Sequence, residues 1–425
     1  MRYIYLDNFR GFKQTVIPIN QITFLVGENS TGKSSFLKLI SIITNNVFIW
    51  DPSHAFDQAI GQSTFNDLVS INSSDRNYFD IGYFEDGTDD ERQIILYRFH
   101  EQGNMPVTEW VIAAHNGYVA QAVKNAEGVH EIRSLKEHPL LFDGDATALF
   151  ARLLQMAQDH KPEFRKVPKE MSASAPVTYL LSFAVPEKVR NKFGPTRTRP
   201  FSNNPVVSIA PIRTAPKQFY GGARAVYSED GQHTPYVLRQ ALQNRSSQFI
   251  EYLRSFGEAS GLFDTIVTHS FGSDPRSPFE LLVKFHNVEL SIDNVGYGVS
   301  QVLPLIVEFL TSRNGTFFLV QQPEVHLHPR AQAALGGLMY ALAKAKNYTY
   351  FIETHSDFLI DRYRLAKRSD PDKINMRSQV IFFKRGELGN IAYSIPIDSN
   401  GRFSDKQPRD FREFFIREEM KLLEI

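Results

Sequence analysis

A glycine-rich segment near the N-terminus constrains the fold of this chain more than any other feature. Residues 27–34 read GENSTGKS and match the phosphate-binding pattern G-x-x-x-x-G-K-[ST]. An apolar run at 22–26 predicts a buried strand before it, and an apolar-periodic run at 35–43 predicts a helix after it. The N–H groups of such a loop and of the following helix N-terminus bind anions. This context favours a P-loop over a chance match in a Gly/Ser turn.

The P-loop pattern also assigns chemical roles to two of its residues. Lys33 is expected to reach the β- and γ-phosphates of a nucleotide, and the Ser34 hydroxyl is expected to ligate magnesium. A P-loop alone indicates only that phosphate is bound, so the class of protein depends on later segments.

Composition limits the classes of protein that fit. A length of 425 residues predicts one large domain with insertions, or two domains. Lys and Arg number 47, as do Asp and Glu, which argues against a dedicated nucleic-acid-binding protein but leaves a local basic patch open. The lack of cysteine excludes disulfides and cysteine-based zinc sites. We find neither a signal peptide nor an apolar run long enough to span a bilayer, so the expected location is the cytoplasm, with no membrane partner.

The pattern along the chain predicts an α/β fold. Strand–helix alternation after Val206 indicates a mostly parallel core sheet, and strand-like segments over 78–133 indicate an antiparallel β lobe. The helix after the P-loop is expected to run to about Phe48, and residues 50–75 are expected to be loop-like. Residues 145–160 predict a helix, followed by a Lys-, Pro- and Ser-rich stretch.

Three later segments can complete a nucleotide site. Residues 317–324, FFLVQQPE, predict an apolar strand with a polar end. A P-loop ATPase places its Walker B acid at such a strand end. Here Gln321 and Gln322 occupy both expected acidic positions, and the nearest carboxylate is that of Glu324. Residues 293–301, DNVGYGVSQ, fit either a second phosphate-binding helix N-terminus or a closely packed glycine turn. Residues 351–357, FIETHSD, end a strand with His355, which can contact a γ-phosphate or simply be hydrogen-bonded.

Taken in order, these motifs resemble the head of an ABC-type ATPase, and more closely the OLD-like, RecF-related family of bacterial ATPases. The segments NFRGFK at 8–13 and APIR at 210–213 agree with that family. The resemblance covers most of 1–50 and 205–415 but not 140–200. It implies three parts: 1–139 with the P-loop and β lobe, an insertion at 140–204 with a helix and a basic loop, and the second part of the head at 205–425.

The resemblance implies ATP and Mg²⁺ as cofactors. The ATP-binding residues would be Gly27, Asn29, Ser30, Thr31, Gly32, Lys33, Ser34 and Ser35. Ser34 and Gln321 would hold the magnesium that accompanies ATP. The catalytic group would consist of Glu324, His355 as the switch histidine, and Gln322.

The resemblance further implies a homodimer with ATP sandwiched between two heads, in an isologous arrangement and with higher oligomers left open. The signature residues Gly298, Ser300 and Gln301 would contact the ATP bound by the partner subunit, and residues 324–328 would form the D-loop. Either Gln58 or Gln62 would be the Q-loop residue.

Two glutamines where the family pattern has acids leave two interpretations open. An amide cannot usefully accept a proton, and loss of a general base costs roughly two to four orders of magnitude in rate. Either Glu324 has taken over the carboxylate role, or the chain holds ATP, hydrolyses it slowly and acts as a nucleotide-loaded platform.

Some members of the resembling family carry a C-terminal TOPRIM nuclease, and we expect none here because few residues follow His355. A metal site made by His326, His328 and Glu324 is less favoured than a D-loop, because metal sites need several convergent ligands. We therefore expect an ATPase that acts as scaffold, sensor or regulator for a separate effector, such as a nuclease, in bacterial antiphage defence. The alternatives are a DNA-repair clamp that binds DNA through residues 140–200, and a scaffold that binds ATP without hydrolysing it.

Overall fold

The computed structural model describes most of the chain in two compact units. The described residues are 1–60, 64–86, 92–115, 118–125, 128–136, 144–159, 164–174, 177–193, 204–221, 226–244, 246–274, 276–286, 288–372, 376–411 and 413. The first unit comprises Met1–Asn20, Glu28–Asn203 and Phe383–Ser394, and the second comprises Gln21–Gly27, Asn204–Phe382 and Ile395–Ile425. The three-part division at 139/140 and 204/205 stays a prediction.

Seventeen strands lie within the described residues. They are β1 (Arg2–Asp7), β2 (Thr15–Ile19), β3 (Ile22–Gly27), β4 (Tyr78–Glu85), β5 (Gln93–Gln102), β6 (Met105–His115), β7 (Tyr118–Lys124), β8 (His130–Lys136), β9 (Arg165–Lys166), β10 (Val206–Ile209), β11 (Thr265–Ser270), β12 (Phe279–Phe285), β13 (Val288–Ser291), β14 (Phe317–Gln321), β15 (Thr349–Glu353), β16 (Ser378–Gly386) and β17 (Gly389–Ile397).

The helices are α1 (Lys33–Thr44), α2 (Asn46–Trp50), α3 (Pro52–Ile60), α4 (Phe65–Leu68), α5 (Ala146–Gln158), α6 (Lys169–Ser174), α7 (Val177–Ala184), α8 (Thr234–Gln243), α9 (Ser247–Ser260), α10 (Tyr297–Thr311), α11 (Pro329–Lys346) and α12 (Asp357–Ser369). Short 3₁₀ turns lie at Glu187–Lys192 and Ile292–Asn294. Within the ranges that the structure describes, no helix has both the length and the apolar character needed to cross a bilayer.

An antiparallel sheet organises the first unit, with strand order β2-β1-β4-β5-β6-β7-β8-β9. One face of this sheet packs on α5, where the rings of Tyr5 and Phe150 stack with centroids 4.9 Å apart. Gly82 lies under the same ring, and a Cβ at this position would come within 2.4 Å of Phe150. The predicted antiparallel β lobe is confirmed.

The other face of the antiparallel sheet carries an aromatic cluster. Phe79 on β4 stacks on Phe99 on β5 at 5.1 Å, and Phe56 on α3 contacts both rings. Phe48 on α2 and Phe65 on α4 join the same cluster. The expectation of loop structure over 50–75 is therefore wrong for α3 and α4. Contacts with residues far along the chain stabilise these segments as helices, although they contain few apolar residues.

The helix after the P-loop is also shorter than expected. α1 ends at Thr44 instead of about Phe48, and Asn45 leaves the helix with extended backbone at φ −66° and ψ 136°. The Asn45 side chain then accepts a hydrogen bond from the Val47 N–H and caps α2. Asparagine is a favoured N-cap, which explains the new helix start.

A mostly parallel sheet organises the second unit. Its strand order is β10-β14-β15-β3, followed by β16 and β17, whose chain continues into the first unit over Phe383–Ser394. β10, β14, β15 and β3 pair in parallel, and β11-β12-β13 form a separate antiparallel sheet. All six residues of β3 are buried, as is typical of a parallel sheet covered on both faces. The α/β fold class is confirmed.

Register brings the carboxyl ends of three parallel strands to one edge of this sheet. Leu25 on β3 pairs with Glu353 on β15, and Glu353 pairs with Gln321 on β14. Ligands of open α/β sheets bind outside the carboxyl ends of the strands. The segments that begin at Gly27, Thr354 and Gln322 leave the sheet at this edge.

Candidate nucleotide-binding site

The P-loop backbone uses conformations that favour glycine. Gly32 precedes α1 with φ +101°, and Ser30 also has a positive φ of 62°. A Cβ on Gly32 would lie 2.6 Å from the Phe12 ring and 2.9 Å from Nδ2 of Asn390. Both the handedness and the close neighbours therefore require glycine here.

Lys33 is the first residue of α1 and is buried, with 3 % of its surface exposed. Its Nζ donates to the Glu28 carbonyl at 2.7 Å, and the Thr31 hydroxyl donates to the same oxygen at 2.7 Å. Gly32 offers no side-chain cap to the helix. A lysine ammonium and the first-turn N–H groups of α1 are thus held beside the loop, as an anion site requires.

The remaining predicted ATP-binding residues differ in their exposure to solvent. Asn29, Ser30 and Ser34 are exposed, whereas Gly27 is buried at the end of β3 and Ser35 is partly buried. An exposed Ser34 hydroxyl fits the role of a magnesium ligand, and backbone N–H groups with a lysine fit phosphate.

Three residues that support the P-loop were not predicted as site residues. Phe12 and Asn390 contact Gly32, and the Asn390 N–H donates to the Gly11 carbonyl at 2.6 Å. Arg385 donates from Nη2 to the Ser30 carbonyl at 3.4 Å. Phe12 belongs to the NFRGFK segment, which is recognisable as a sequence motif. Asn390 and Arg385 lie far along the chain, and no local sequence pattern indicates that they contact the P-loop.

Glu324 lies in a second group of site residues, within the second unit. Its Oε2 accepts from the Thr354 hydroxyl at 2.8 Å, and its Oε1 accepts from the His355 N–H at 2.6 Å. Burial raises the pKa of Glu324, against the opposing effects of these hydrogen bonds and of the Arg213 charge. The carboxylate is therefore oriented by the segment that carries the predicted switch histidine.

The two glutamines lie between β14 and Glu324. Gln322 has a positive φ of 42°, and its N–H donates to the Glu353 carbonyl at 2.8 Å. Both Gln321 and Gln322 are partly exposed. The structure thus brings Gln321, Gln322, Glu324 and His355 together at the carboxyl edge of the parallel sheet.

Arg213 is a further member of this group that sequence reasoning did not assign to the site. It donates from Nη1 to the Gln301 carbonyl at 3.2 Å and from Nη2 to the Gln321 and Gln322 carbonyls at 3.3 and 3.2 Å. Burial lowers its pKa to about 10, and the charge of Glu324 opposes this change. The APIR motif marks this arginine in the sequence, but the motif does not indicate that the side chain is buried.

The predicted signature residues lie in the first turns of α10. Ser300 is buried as a residue, and its hydroxyl donates to the Tyr297 carbonyl at 2.8 Å. Gln301 is buried and donates from Nε2 to the Arg213 carbonyl at 3.4 Å. A Cβ on Gly298 would lie 2.9 Å from the His326 carbonyl oxygen, so this glycine permits close packing. Contact with a partner's ATP stays a prediction for all three.

The D-loop segment is tied to the switch segment by side chains. Gln332 donates to the Leu327 carbonyl at 2.8 Å and accepts from the Ser356 hydroxyl at 2.5 Å. His326 meets the Tyr297 ring edge-on at 5.0 Å, whereas His328 caps α11. No cluster of three or more His, Asp or Glu side chains suited to a metal ion occurs among the described residues.

The two candidate Q-loop residues remain undecided. Gln58 is exposed on α3, and its Nε2 lies 2.9 Å from Nε2 of His54. Gln62 lies outside the described residues. The identity of the Q-loop residue stays a prediction with two candidates.

Solved structures similar to this chain include SMC heads and RecF, all at low sequence identity. A crystal structure of the Smc head bound to the C-terminal winged-helix domain of ScpA has 12% identity and a TM-score of 0.43, covering 93% of this chain and 97% of that chain. The SMC head domain from Thermotoga maritima has 10% identity and a TM-score of 0.41, covering 93% and 99%. The recombination mediator protein RecF of the RecFOR pathway has 11% identity and a TM-score of 0.32, covering 92% and 97%. No curated protein matches the chain in sequence.

Two family models match the sequence itself. Residues 1–141 match a model described as "AAA ATPase domain". Residues 131–361, more than half of the chain, match a model described as "AAA domain, putative AbiEii toxin, Type IV TA system". Together with the P-loop geometry, this extent of match shows that the chain belongs to this family of AAA ATPase domains.

Proposed function

We propose that this protein binds ATP with Mg²⁺ and hydrolyses it, using Glu324 as the working carboxylate. The observation that carries the proposal is that both oxygens of Glu324 are held by Thr354 and His355, at the edge where β3 leads into the P-loop. Residues 27–35 would bind the phosphates, with Lys33 as the main cation. Magnesium, held by Ser34 and Gln321, would neutralise phosphate charge.

Glu324 suits the role of general base better than either glutamine does. Burial raises its pKa, and a carboxylate with a raised pKa accepts a proton from water more readily. Gln322 can orient the attacking water through its amide but cannot take the proton. His355 would contact the γ-phosphate through its ring, while its backbone N–H holds Glu324.

We further propose that ATP joins two copies of the chain. Gly298, Ser300 and Gln301 stand at the N-terminus of α10, which has no side-chain cap and would face the ATP of the partner. In this arrangement the chain is an OLD-like ATPase that controls a separate effector, such as a nuclease, in defence against phage. The order of the four motifs supports that class, and the family description of a toxin in a type IV toxin–antitoxin system supports a defence role.

The first experiment is single-turnover hydrolysis of γ-labelled ATP, with bound nucleotide quantified in parallel. We expect Lys33→Ala to lose ATP binding, and Glu324→Gln to keep binding but lose roughly two to four orders of magnitude in rate. His355→Ala should lower the rate with smaller effects on binding. If the wild-type protein retains ATP without cleaving it, the proposal of hydrolysis is wrong and the chain is a nucleotide-loaded scaffold.

A second experiment tests the assembly. Light scattering of Glu324→Gln should give the mass of a dimer with ATP and of a monomer with ADP. A monomer under both conditions would contradict the ATP sandwich. Co-purification with a nuclease encoded beside the gene would support the effector role, whereas DNA-stimulated turnover with salt-sensitive DNA binding would favour the repair clamp instead.

A further inference from the structure

Arg213 is a buried cation that connects two segments of the second unit. Only 2 % of its surface is exposed, and its guanidinium donates to three backbone carbonyls. One carbonyl belongs to Gln301 on α10, and the other two belong to Gln321 and Gln322 at the end of β14. In return, Gln301 donates to the Arg213 carbonyl, so the contact with α10 runs in both directions.

A buried guanidinium needs more than carbonyl dipoles to offset its lost hydration. Its Nε–H has no hydrogen-bond partner among the described residues, and Glu324 is the acid whose charge acts on it. Glu324 receives its hydrogen bonds from Thr354 and His355 instead. Arg213 therefore interacts with Glu324 through its charge, while it binds the backbone that leads to Glu324.

This placement indicates a role in linking α10 to the end of β14. The planar guanidinium fork holds its acceptors at fixed relative positions, which a flexible lysine ammonium cannot do. We propose that Arg213 is a positioning residue for ATP hydrolysis, which links the segment of α10 that carries Ser300 to the strand end that carries Glu324. Contact of a second copy with the N-terminus of α10 would then be transmitted to the carboxylate. The inference rests on the proposed role of Glu324 in hydrolysis.

The test measures the rate of ATP hydrolysis separately from ATP binding, and it determines whether Arg213 acts through Glu324. Single-turnover rates and the Kd for ATP are measured for the wild type, Arg213→Lys, Arg213→Met, Glu324→Gln and the double variant Arg213→Met/Glu324→Gln. We expect each Arg213 variant to be roughly 100-fold slower than wild type, as for a misplaced catalytic group, with Kd for ATP unchanged. The double variant should be no slower than Glu324→Gln, because Arg213 acts through Glu324.

Arg239→Met is the matched control for loss of a buried arginine. Arg239 also lies in the second unit, donates to the Ser277 carbonyl at 3.2 Å and covers the Phe279 ring at 4.6 Å. We expect this variant to lower the thermal midpoint but to keep the wild-type rate. If Arg213→Met does not fold, the same comparison of single and double variants is made with Arg213→Lys in its place.

Three results would overturn the inference: a wild-type rate in both Arg213 variants, a loss of rate in the double variant that multiplies the two single losses, or an equal loss of rate in Arg239→Met. Failure of the proposed function gives a different result: either the wild type itself does not cleave ATP, or Glu324→Gln hydrolyses ATP at the wild-type rate.

Discussion

The backbone N–H of His355 lies 2.6 Å from Oε1 of Glu324. These residues are 31 positions apart and follow two neighbouring parallel strands, β15 and β14. The hydrogen bond makes the orientation of the carboxylate dependent on the switch segment. A change in the position of residues 354–356 would therefore reorient Glu324.

The rate of ATP hydrolysis should show an acid limb that belongs to Glu324. Burial raises the pKa of this carboxyl, and only the ionised form can accept a proton from water. The single-turnover rate should therefore fall as the pH decreases through a value above the ordinary glutamate pKa of about 4.3. The measurement is the rate as a function of pH for the wild type and Glu324→Gln. A limb that persists in Glu324→Gln would assign it to another group.

Gly32→Ala should abolish ATP binding by distorting the P-loop. The new Cβ would lie 2.6 Å from Phe12, and the backbone φ of +101° disfavours any L side chain. Gly103→Ala is the matched control, because Gly103 also has a positive φ, of +62°, but has nothing within 4 Å of the added Cβ. Nucleotide titration should show loss of binding only for Gly32→Ala, while Gly103→Ala should cost about 1–2 kcal/mol of stability or less. Equal ATP affinity in the two variants would contradict the steric account.

Two adjacent glycines in α11 should respond in opposite directions to alanine. A Cβ on Gly336 would lie 2.2 Å from the Leu359 carbonyl oxygen of α12, whereas a Cβ on Gly337 would meet only the Arg362 side chain, at 3.6 Å. Gly336→Ala should destabilise by about 1–3 kcal/mol through overpacking. Gly337→Ala should stabilise by about 0.5–1 kcal/mol, since alanine is the better helix former. Urea unfolding of both variants gives the two free energies, and the same sign for both would refute the prediction.

Asp370 should make stability depend on acid pH. Hydrogen bonds from Lys344 and Tyr340 lower the pKa of Asp370 from 3.8 to about 2. The unfolded chain then binds more protons than the folded protein in this window, so the contribution is present above pH 3.8 and is lost as the pH falls towards 2. Asp370→Asn should be less stable than wild type at pH 7, and the difference should shrink at about pH 3.

The neighbouring Asp372 provides the control for this prediction. It also contacts Lys344, at 2.6 Å, but 65% of its side chain is exposed. An exposed ion pair contributes little, so Asp372→Asn should change the free energy of unfolding at pH 7 by less than about 1 kcal/mol. A larger effect from Asp372→Asn than from Asp370→Asn would show that the buried carboxylate is not the stabilising member.

The sequence by itself determined the parts of this protein that have strong local patterns. The strand before the P-loop and the start of α1 follow from an apolar run and a glycine-rich turn, and the parallel strands β14 and β15 follow from apolar runs with polar ends. Each of these strands ends in polar residues, and the family resemblance assigned Glu324 and His355, which follow β14 and β15, to one catalytic group.

Only the tertiary structure decided the features that depend on distant neighbours. α3 and α4 are helical because Phe56 and Phe65 pack on Phe79, a contact that no local period reveals. Asn390 supports Gly32 across more than 350 positions, and Arg213 is buried because α10 and the end of β14 supply its acceptors. Local propensity sets where strands and helices can begin, whereas burial and charge compensation arise only when separate segments meet.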